Sequence, residues 1–480
     1  VSDVRNKGAL LILIAGLAGC AVGPDYQRPD VQVPDAWRIE YGEASDLVNA
    51  RWWQKFNDPV LDQLIETALQ DNPDVRIAAA RVEQFLGALQ TTRSQFFPQA
   101  DYGGGASRNR ASQDAFGVGS GADPYFTQYQ AAAGVAWQLD LFGRIRRQTE
   151  AAQAQVYATE QARRGVILTL VTGVAVSYVN LLGLDRQLEI SRETLESYAG
   201  SLRIFELRFK GGVASKVELS QVQSEYERAR AQVPDLEARV QAQENLLSIL
   251  IGRNPGPILG RHNIDQLSRP GVPASLPSSL LERRPDVVQA EQNLIAANAN
   301  IGVAQSQYYP NISITGDYGA ASGDLGDLLD SSARVWSIAG NITGPIFTAG
   351  AIRGQVRSTE AAREEALQVY QRTVLNALRE VNDALISAEK SVETYEALAR
   401  RADALREYAR LSNLLFENGA ASYLEVLYAN TLLFDAELIA VRAQTDTFNN
   451  LIDVYKSMGG GWVDQATELA PTPEEVMSQN

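Results

Sequence analysis

Side chains able to do covalent or metal chemistry are scarce in this chain. Its 480 residues include one cysteine, Cys20, and one histidine, His262. A lone histidine cannot build a metal site, and a cysteine this close to the N-terminus cannot belong to a buried one. Disulfide frameworks, zinc clusters and Cys/His nucleophile pairs are therefore excluded. Two short patterns invite an enzymatic reading. Gly117-Val-Gly119-Ser-Gly121-Ala122 fits the G-x-G-x-x-G/A fingerprint, but it lies between two strands and opens no helix on which a pyrophosphate could sit. Ser387-Ala-Glu-Lys390 fits S-x-x-K with no companion motif. No P-loop occurs, and the expectation is a protein that is not an enzyme and has no metal and no cofactor. Lys plus Arg total 43 against 58 Asp plus Glu, a net charge of −15, which repels nucleic acid. No run of 18 or more apolar residues occurs, so no spanning helix is expected.

Cys20 has a different chemistry open to it. Residues 1–19 read as a secretory signal, with Arg5 and Lys7 before an apolar core from Ala9 to about Ala18 that is too short to span. Leu17-Ala18-Gly19-Cys20 resembles the bacterial lipobox, in which small residues precede a cysteine that is lipidated and becomes the mature N-terminus. Cys20 is therefore expected to carry an N-terminal diacylglycerol and an N-palmitoyl group, which anchor the chain to a membrane. Ala21, rather than Asp, follows it, and in the lipoproteins this resembles that favours the outer membrane.

The elements that would position such a chain are written twice. Asn72-Pro73-Asp74-Val75 matches Arg284-Pro285-Asp286-Val287 at an offset of 212, and Ser94-Gln-Phe-Phe-Pro98 matches Ser306-Gln-Tyr-Tyr-Pro310 at the same offset. Thr149-Glu-Ala-Ala152 recurs as Thr359-Glu-Ala-Ala362, and the segment from Phe209 to Ser215 as that from Phe416 to Ser422, by which point the offset is 207. Self-similarity at this period means one structural unit used twice. The expected divisions are a lipidated N-terminal segment 20–58, a first repeat 59–251, a Gly/Pro-rich link 252–277, a second repeat 278–458 and a tail 459–480.

Each copy begins with a helix at Pro73 or Pro285, since proline suits a first helical turn, and stops before Pro98 or Pro310. Two strands follow, at about 100–110 and 125–142 in the first copy and about 312–320 and 334–347 in the second. Helical stretches without proline then run from about Gly143 to Phe209 and from Gly350 to Phe416. At ~1.5 Å per residue, each extends about 100 Å. Gly212 and Gly419 stand where a helix end wants a left-handed residue. Ser215-Lys-Val-Glu218 and Ser422-Tyr-Leu-Glu425 then read as S-x-x-E capping boxes for a return helix. Both return helices keep a 3,4 apolar spacing, the seam of laterally packed helices, and Pro234 should kink the first.

The strands carry the membrane argument. From Tyr125 to Phe142 the odd positions are mostly apolar, with Tyr125, Tyr129, Val135, Trp137 and Leu141 among them, while the even ones include Gln128, Gln130, Gln138 and Asp140. The second copy alternates likewise, with Trp336, Ile338 and Ile342 against Ser337, Asn341 and Thr343. Lipid-facing barrel strands need this pattern. Four strands cannot close a barrel in lipid, where unpaired edges are not tolerated, so other copies must supply more: eight strands from two chains or twelve from three. The loops at about 111–124 and 321–333, rich in Gly, Ser and Asp, would face outward.

Several stretches together resemble the TolC-type outer-membrane efflux family, in its lipoprotein branch serving resistance-nodulation-division pumps. They are Cys20 to Pro29, Trp52-Trp53 with Phe56-Asn57-Asp58-Pro59, Leu281-Glu-Arg-Arg-Pro285-Asp286-Val287, and Pro345-Ile-Phe-Thr-Ala-Gly350. The resemblance implies an α+β, mainly α fold: a tandem repeat of strand pair plus long αα-hairpin. Three copies would form a twelve-stranded β-barrel in the bacterial outer membrane that continues into a twelve-helix periplasmic α-barrel. It also implies a homotrimer, a periplasmic adaptor and an inner-membrane pump as partners, and export of drugs or other small molecules. The tips at 208–215 and 415–422 would dock the adaptor, through Arg208, Gly211, Gly212, Ser215, Gly419 and Ser422, with Leu415 where the family commonly has arginine. A gate would lie nearby at Asp403, Glu407, Asn413 and Glu417, where acidic rings favour cations. A type I secretion exit channel and a coiled-hairpin adaptor lipoprotein are the alternatives. Only two methionines, Met458 and Met477, are present, which lends no support to a copper or silver conduit.

Overall fold

The computed structural model describes residues 21–34, 36–38, 51–111, 124–272, 280–459 and 462–478. Cys20, the expected signal at 1–19 and the loop at 112–123, with its glycine pattern, lie outside the described residues. The described chain forms α1 (Pro59–Asp71), α2 (Pro73–Ser94), β1 (Gln99–Arg110), β2 (Tyr125–Leu139), α3 (Arg144–Lys210) and α4 (Lys216–Leu250) in the first copy. After a single helical turn at Leu280–Arg283, the second copy supplies α5 (Pro285–Ser306), β3 (Asn311–Ser322), β4 (Arg334–Thr343), α6 (Ala351–Glu417) and α7 (Tyr423–Ser457). Short helices α8 (Trp462–Leu469) and α9 (Pro473–Ser478) follow. Two compact units divide the described residues, one drawn from those within 21–30, 84–158 and 290–370, the other from those within 31–83, 159–289 and 371–480.

The two copies match element by element. Helices α2 and α5 are both 22 residues long, α3 and α6 both 67, and α4 and α7 both 35. The offset is 212 up to β3 and already 207 where the long helices begin, so the whole difference falls between β3 and α6. The Thr149 to Ala152 match at 210 is therefore three residues out of register, a chance identity. Structural register instead aligns Ile145-Arg146-Arg147-Gln148 with Ile352-Arg353-Gly354-Gln355.

In the first unit, the four strands form one antiparallel sheet in the order β1-β2-β3-β4. Register places Tyr102, Ala133, Tyr318 and Trp336 in a row across all four strands. The adjacent row, whose side chains point to the other face because the strand period is two, is Asp101, Gly134, Asp317 and Ser337. Ser337 Oγ donates to Asp317 Oδ2 at 3.1 Å. One face is thus mainly aromatic and aliphatic, with Arg108, Arg110 and Arg334 at its loop end, and the other is polar or small apart from Phe126 and Val335. Trp336 is 72% exposed, Ile338 76% and Ile342 71%. A contiguous apolar surface of this kind calls for a non-aqueous neighbour. Strands β2 and β4 stop earlier than the alternation suggested, at Leu139 and Thr343, because Asp140 turns to cap α3 and Pro345 cannot join a ladder. Residues 325–329 and 331–333 of the second loop form 3-10 turns.

The second unit contains the main core. Its centre is the stretch of α3 from Ile167 to Leu182, packed against Leu236, Val240 and Leu247 of α4 and Phe448, Leu451 and Ile452 of α7. This corrects the expectation that no helix is apolar enough to span a membrane: α3 contains an 18-residue window that passes by length and composition, and 61% of it is buried within the chain. Requiring an unbroken apolar run overlooked it, because threonines, glycines, Ser177 and Tyr178 interrupt a segment without charge. Helix α4 is continuous through Pro234, which terminates nothing.

Candidate functional site

Both hairpin turns lie in the second unit and are built alike. Gly212 and Gly419 each have φ of 74°, and no atom lies within 4 Å of where a Cβ would sit, so glycine is required there by backbone conformation and not by space. Val213 N donates to Arg208 O at 2.8 Å and Gly212 N to Phe209 O at 2.9 Å. Ala420 N to Leu415 O, 2.8 Å, and Gly419 N to Phe416 O, 3.0 Å, repeat this pair of bonds. Each turn is a Schellman motif that satisfies the last carbonyls of a long helix.

The copies diverge one step later. Ser215 Oγ accepts from Glu218 N at 3.2 Å while Ser215 N donates to Glu218 Oε2 at 2.7 Å, a complete capping box. That backbone bond, with the Ser215 side chain, holds the Glu218 carboxyl below the usual carboxylate range. Ser422 has the same N-cap backbone, φ −80° and ψ 154°, but makes no side-chain cap bond, so the second expected capping box is corrected. Its neighbour Tyr423 holds the turn instead, with its ring 4.2 Å from Phe205 and 5.2 Å from Phe416. Ser215→Ala should therefore cost about 1 kcal/mol, and Ser422→Ala a few tenths at most. Chemical-denaturation midpoints of the two variants check this; equal losses would contradict it.

Arg208 does not project alone from the tip. Its guanidinium lies 5.5 Å from the Phe205 ring centre and 5.8 Å from that of Phe416, so one cation spans the ends of both hairpins. Below it, Tyr198, Phe205, Leu219 and Val222 of the first copy pack with Tyr423, Val426 and Leu427 of the second. Leu415, at the position where the family resemblance implies arginine, is exposed.

Of the gate candidates, Asp403 pairs with Arg406 at 2.6 Å, and Arg406 continues to Glu437 at 2.8 Å. Both Glu407 oxygens accept from Arg410 at 2.7 Å, and this pairing holds the Glu407 carboxyl below its ordinary range. Asn413 Nδ2 donates to Ala409 O at 2.8 Å. Glu417 is the last residue of α6 and is exposed. From 403 to 417 the three acids are offset by two arginines, leaving a net charge of −1. The four residues share one stretch of one helix, but two of the acids already have a cation beside them.

Sequence reasoning missed the interior ion pairs. Arg284, 7% exposed, forks onto Asp286 at 3.0 and 2.7 Å, reaches Glu380 at 2.7 Å and donates to Ser457 O at 2.8 Å. Arg261 binds Asp185 at 2.7 Å and Glu244. His262 lies 3.3 Å from Asp58, whose carboxylate caps α1 through Val60 N and accepts from Tyr178. Among the described residues no group of three or more His, Cys, Asp or Glu is placed to hold a metal ion.

Paired strands with an exposed apolar face, each pair joined to a hairpin of 67 and 35 residues, describe an outer-membrane channel protein. The outer membrane efflux protein family model matches residues 64–253 and 276–460, and the chain belongs to that family. It is 34% identical over 469 residues to a solvent efflux pump outer membrane protein, SrpC, of Pseudomonas putida, covering 96% of this chain and 99% of that protein. It is 32% identical over 451 residues to the cation efflux system protein CusC of Escherichia coli, covering 93% and 96%. The open state of the MtrE outer membrane channel of Neisseria gonorrhoeae is similar in structure, with a TM-score of 0.84 at 28% identity over 92% of this chain and 99% of that one. The chain is thus an efflux channel protein of the bacterial outer membrane, and the adaptor reading falls away.

Proposed function

We propose that this chain is a lipid-anchored subunit of a homotrimeric exit duct, working with a periplasmic adaptor and a resistance-nodulation-division pump of the inner membrane. The observation that supports it most is the four-stranded sheet. Its apolar face is exposed, and β1 and β4 end it with edges that nothing else in the described chain pairs. Three copies joined edge to edge close twelve strands and remove every edge from lipid. The polar row from Asp101 to Ser337 then lines water. Substrate moves through without covalent chemistry, so no catalytic residue and no cofactor is assigned beyond the diacylglycerol and N-palmitoyl groups on Cys20. The named relatives serve solvents and cations, and small molecules delivered by a pump are the cargo proposed here.

Adaptor docking is assigned to the tips, with Gly211, Gly212, Ser215, Gly419 and Ser422 shaping the turns and Arg208 presented on its aromatic bed. Asp403, Glu407, Asn413 and Glu417 are assigned to the periplasmic narrowing. Conductance in planar bilayers tests both channel and gate. Because Arg410 already offsets Glu407, Glu417→Gln should lower cation over anion permeability more than Glu407→Gln does. Unchanged selectivity in the double variant would remove both from the gate, and absence of any conductance from the trimer would sink the duct itself.

A further inference from the structure

The segment that follows Cys20 is held with unusual thoroughness for a chain terminus. Val22 N donates to Phe142 O at 3.2 Å. Three successive carbonyls, those of Val22, Gly23 and Pro24, each accept from a buried side chain: Arg147 Nε at 3.3 Å, an Arg147 terminal nitrogen at 3.2 Å and Asn298 Nδ2 at 2.9 Å. Arg147 and Asn298 are 5% and 4% exposed. The same guanidinium pairs with Asp25 at 2.7 Å and with Glu150 at 2.8 Å. Further along, Tyr26 Oη donates to Glu291 at 3.1 Å, and Arg28 pairs with that carboxylate at 3.1 Å.

The close approach leaves no room for side chains. A Cβ on Gly23 would lie 2.4 Å from Gly302 Cα, and one on Gly302 would lie 2.6 Å from Val22 O. One on Gly143 would lie 2.7 Å from Ala21 Cα. These contacts come from both repeats, with Gly143 and Arg147 from the first and Glu291, Asn298 and Gly302 from the second.

Apart from Gly143, which matches Gly350, none of these residues is kept at the matching position of the other copy. Arg147 corresponds to Gly354, while Glu291, Asn298 and Gly302 correspond to Ala79, Leu86 and Gln90. The repeat symmetry is broken where a segment present once per chain lies down.

We infer that Ala21 to Arg28 form a clasp that fixes where the anchor leaves the protein, at the junction between β2 and α3, and that Arg147 is its positioning residue. The inference rests on the lipidation of Cys20 proposed above. Ten free residues, Ala21 to Asp30, would let an acyl anchor wander up to about 35 Å, more than the hydrocarbon thickness of a bilayer, ~30 Å. Clasped at Ala21, that slack is gone, and the lipid and the apolar strand face share one reference point.

The test uses the full lipoprotein in outer-membrane vesicles, with Gln27→Cys carrying a nitroxide. Position 27 is exposed, and an acylated Cys20 has no thiol to label. The parent should give an immobilised spectrum, and Arg147→Lys an intermediate one, because an ammonium cannot reach the Val22 and Gly23 carbonyls, Asp25 and Glu150 together. Arg147→Met and, separately, Gly23→Val should give a mobile one, with proteolytic cleavage between residues 21 and 30 at least about tenfold faster. Gly23→Val alters only the clasp segment and so guards against a simple folding defect. A mobile parent, or immobilised spectra in both variants, overturns the clasp; release by Gly23→Val alone removes Arg147 from it. The acyl mass of the N-terminal peptide is measured separately, so that an unmodified Cys20 would defeat the anchor while leaving the clasp result standing.

Discussion

Arg284→Met should lower the stability of the protein by about 3 kcal/mol, near the bottom of the 3–5 kcal/mol range for breaking a buried ion pair. The magnitude follows from what is left behind. Asp286 and Glu380 have side chains 49% and 43% exposed, so both carboxylates can recover water once the guanidinium is gone. The Ser457 carbonyl belongs to a residue only 7% exposed and would lose its donor, at about 1–3 kcal/mol. Arg284→Lys should recover little, because an ammonium cannot fork onto Asp286 while reaching Glu380 and Ser457. Denaturant midpoints and heat-modifiable migration of the purified protein read the effect. A midpoint within error of the parent would show that the second copy's α5, α6 and α7 are held together by packing alone.

The other large effect is expected at Trp52. Its ring is stacked 4.9 Å from Tyr455 and meets Trp53, Phe56 and Trp462 edge-on at 5.9 Å each. Trp52 is fully buried. Trp52→Ala should cost about 3–5 kcal/mol, the usual range for emptying so large a buried volume. Because Trp462 opens α8, the C-terminal segment loses its seat in the same step, and carboxy-terminal trimming by protease should become fast before the rest of the chain unfolds. Uniform proteolysis along the chain, with no early C-terminal cleavage, would contradict this.

Much of the architecture was legible in the sequence because the signals are local and periodic. The long helices were placed at Gly143 to Phe209 and Gly350 to Phe416, and they run from Arg144 to Lys210 and from Ala351 to Glu417. Proline, glycine and the 3,4 spacing act within a few residues of themselves, so a reader of the string can see them. The Trp52-Trp53 and Arg284-Pro285-Asp286 signatures were visible as words, but their meaning was not. Arg284 meets Glu380 and Ser457 far away along the chain, and nothing in its neighbours announces that meeting. Ser422 was misjudged for a related reason. S-x-x-E states that a capping box can form, and the packing of Tyr423 between Phe205 of the other hairpin and Phe416 of its own, which the turn uses instead, is not written in that pattern. The candidate gate was read from its acids, whereas the arginines one turn along, Arg406 and Arg410, set what those acids can offer.

The equal helix lengths have a consequence for how such a chain can change. Inserting one residue in α3 would turn every side chain beyond it by about 100° and push its tip ~1.5 Å past that of α6. The bed of Phe205, Phe416 and Tyr423 under Arg208 would then be out of step, even though no residue of it had been touched. The two hairpins are bound as a vernier, and only a matched insertion in both would keep the marks aligned. The five residues by which the copies differ in length lie where no such matching is demanded, between β3 and α6. Length can drift there freely, while the helices must change in pairs or not at all.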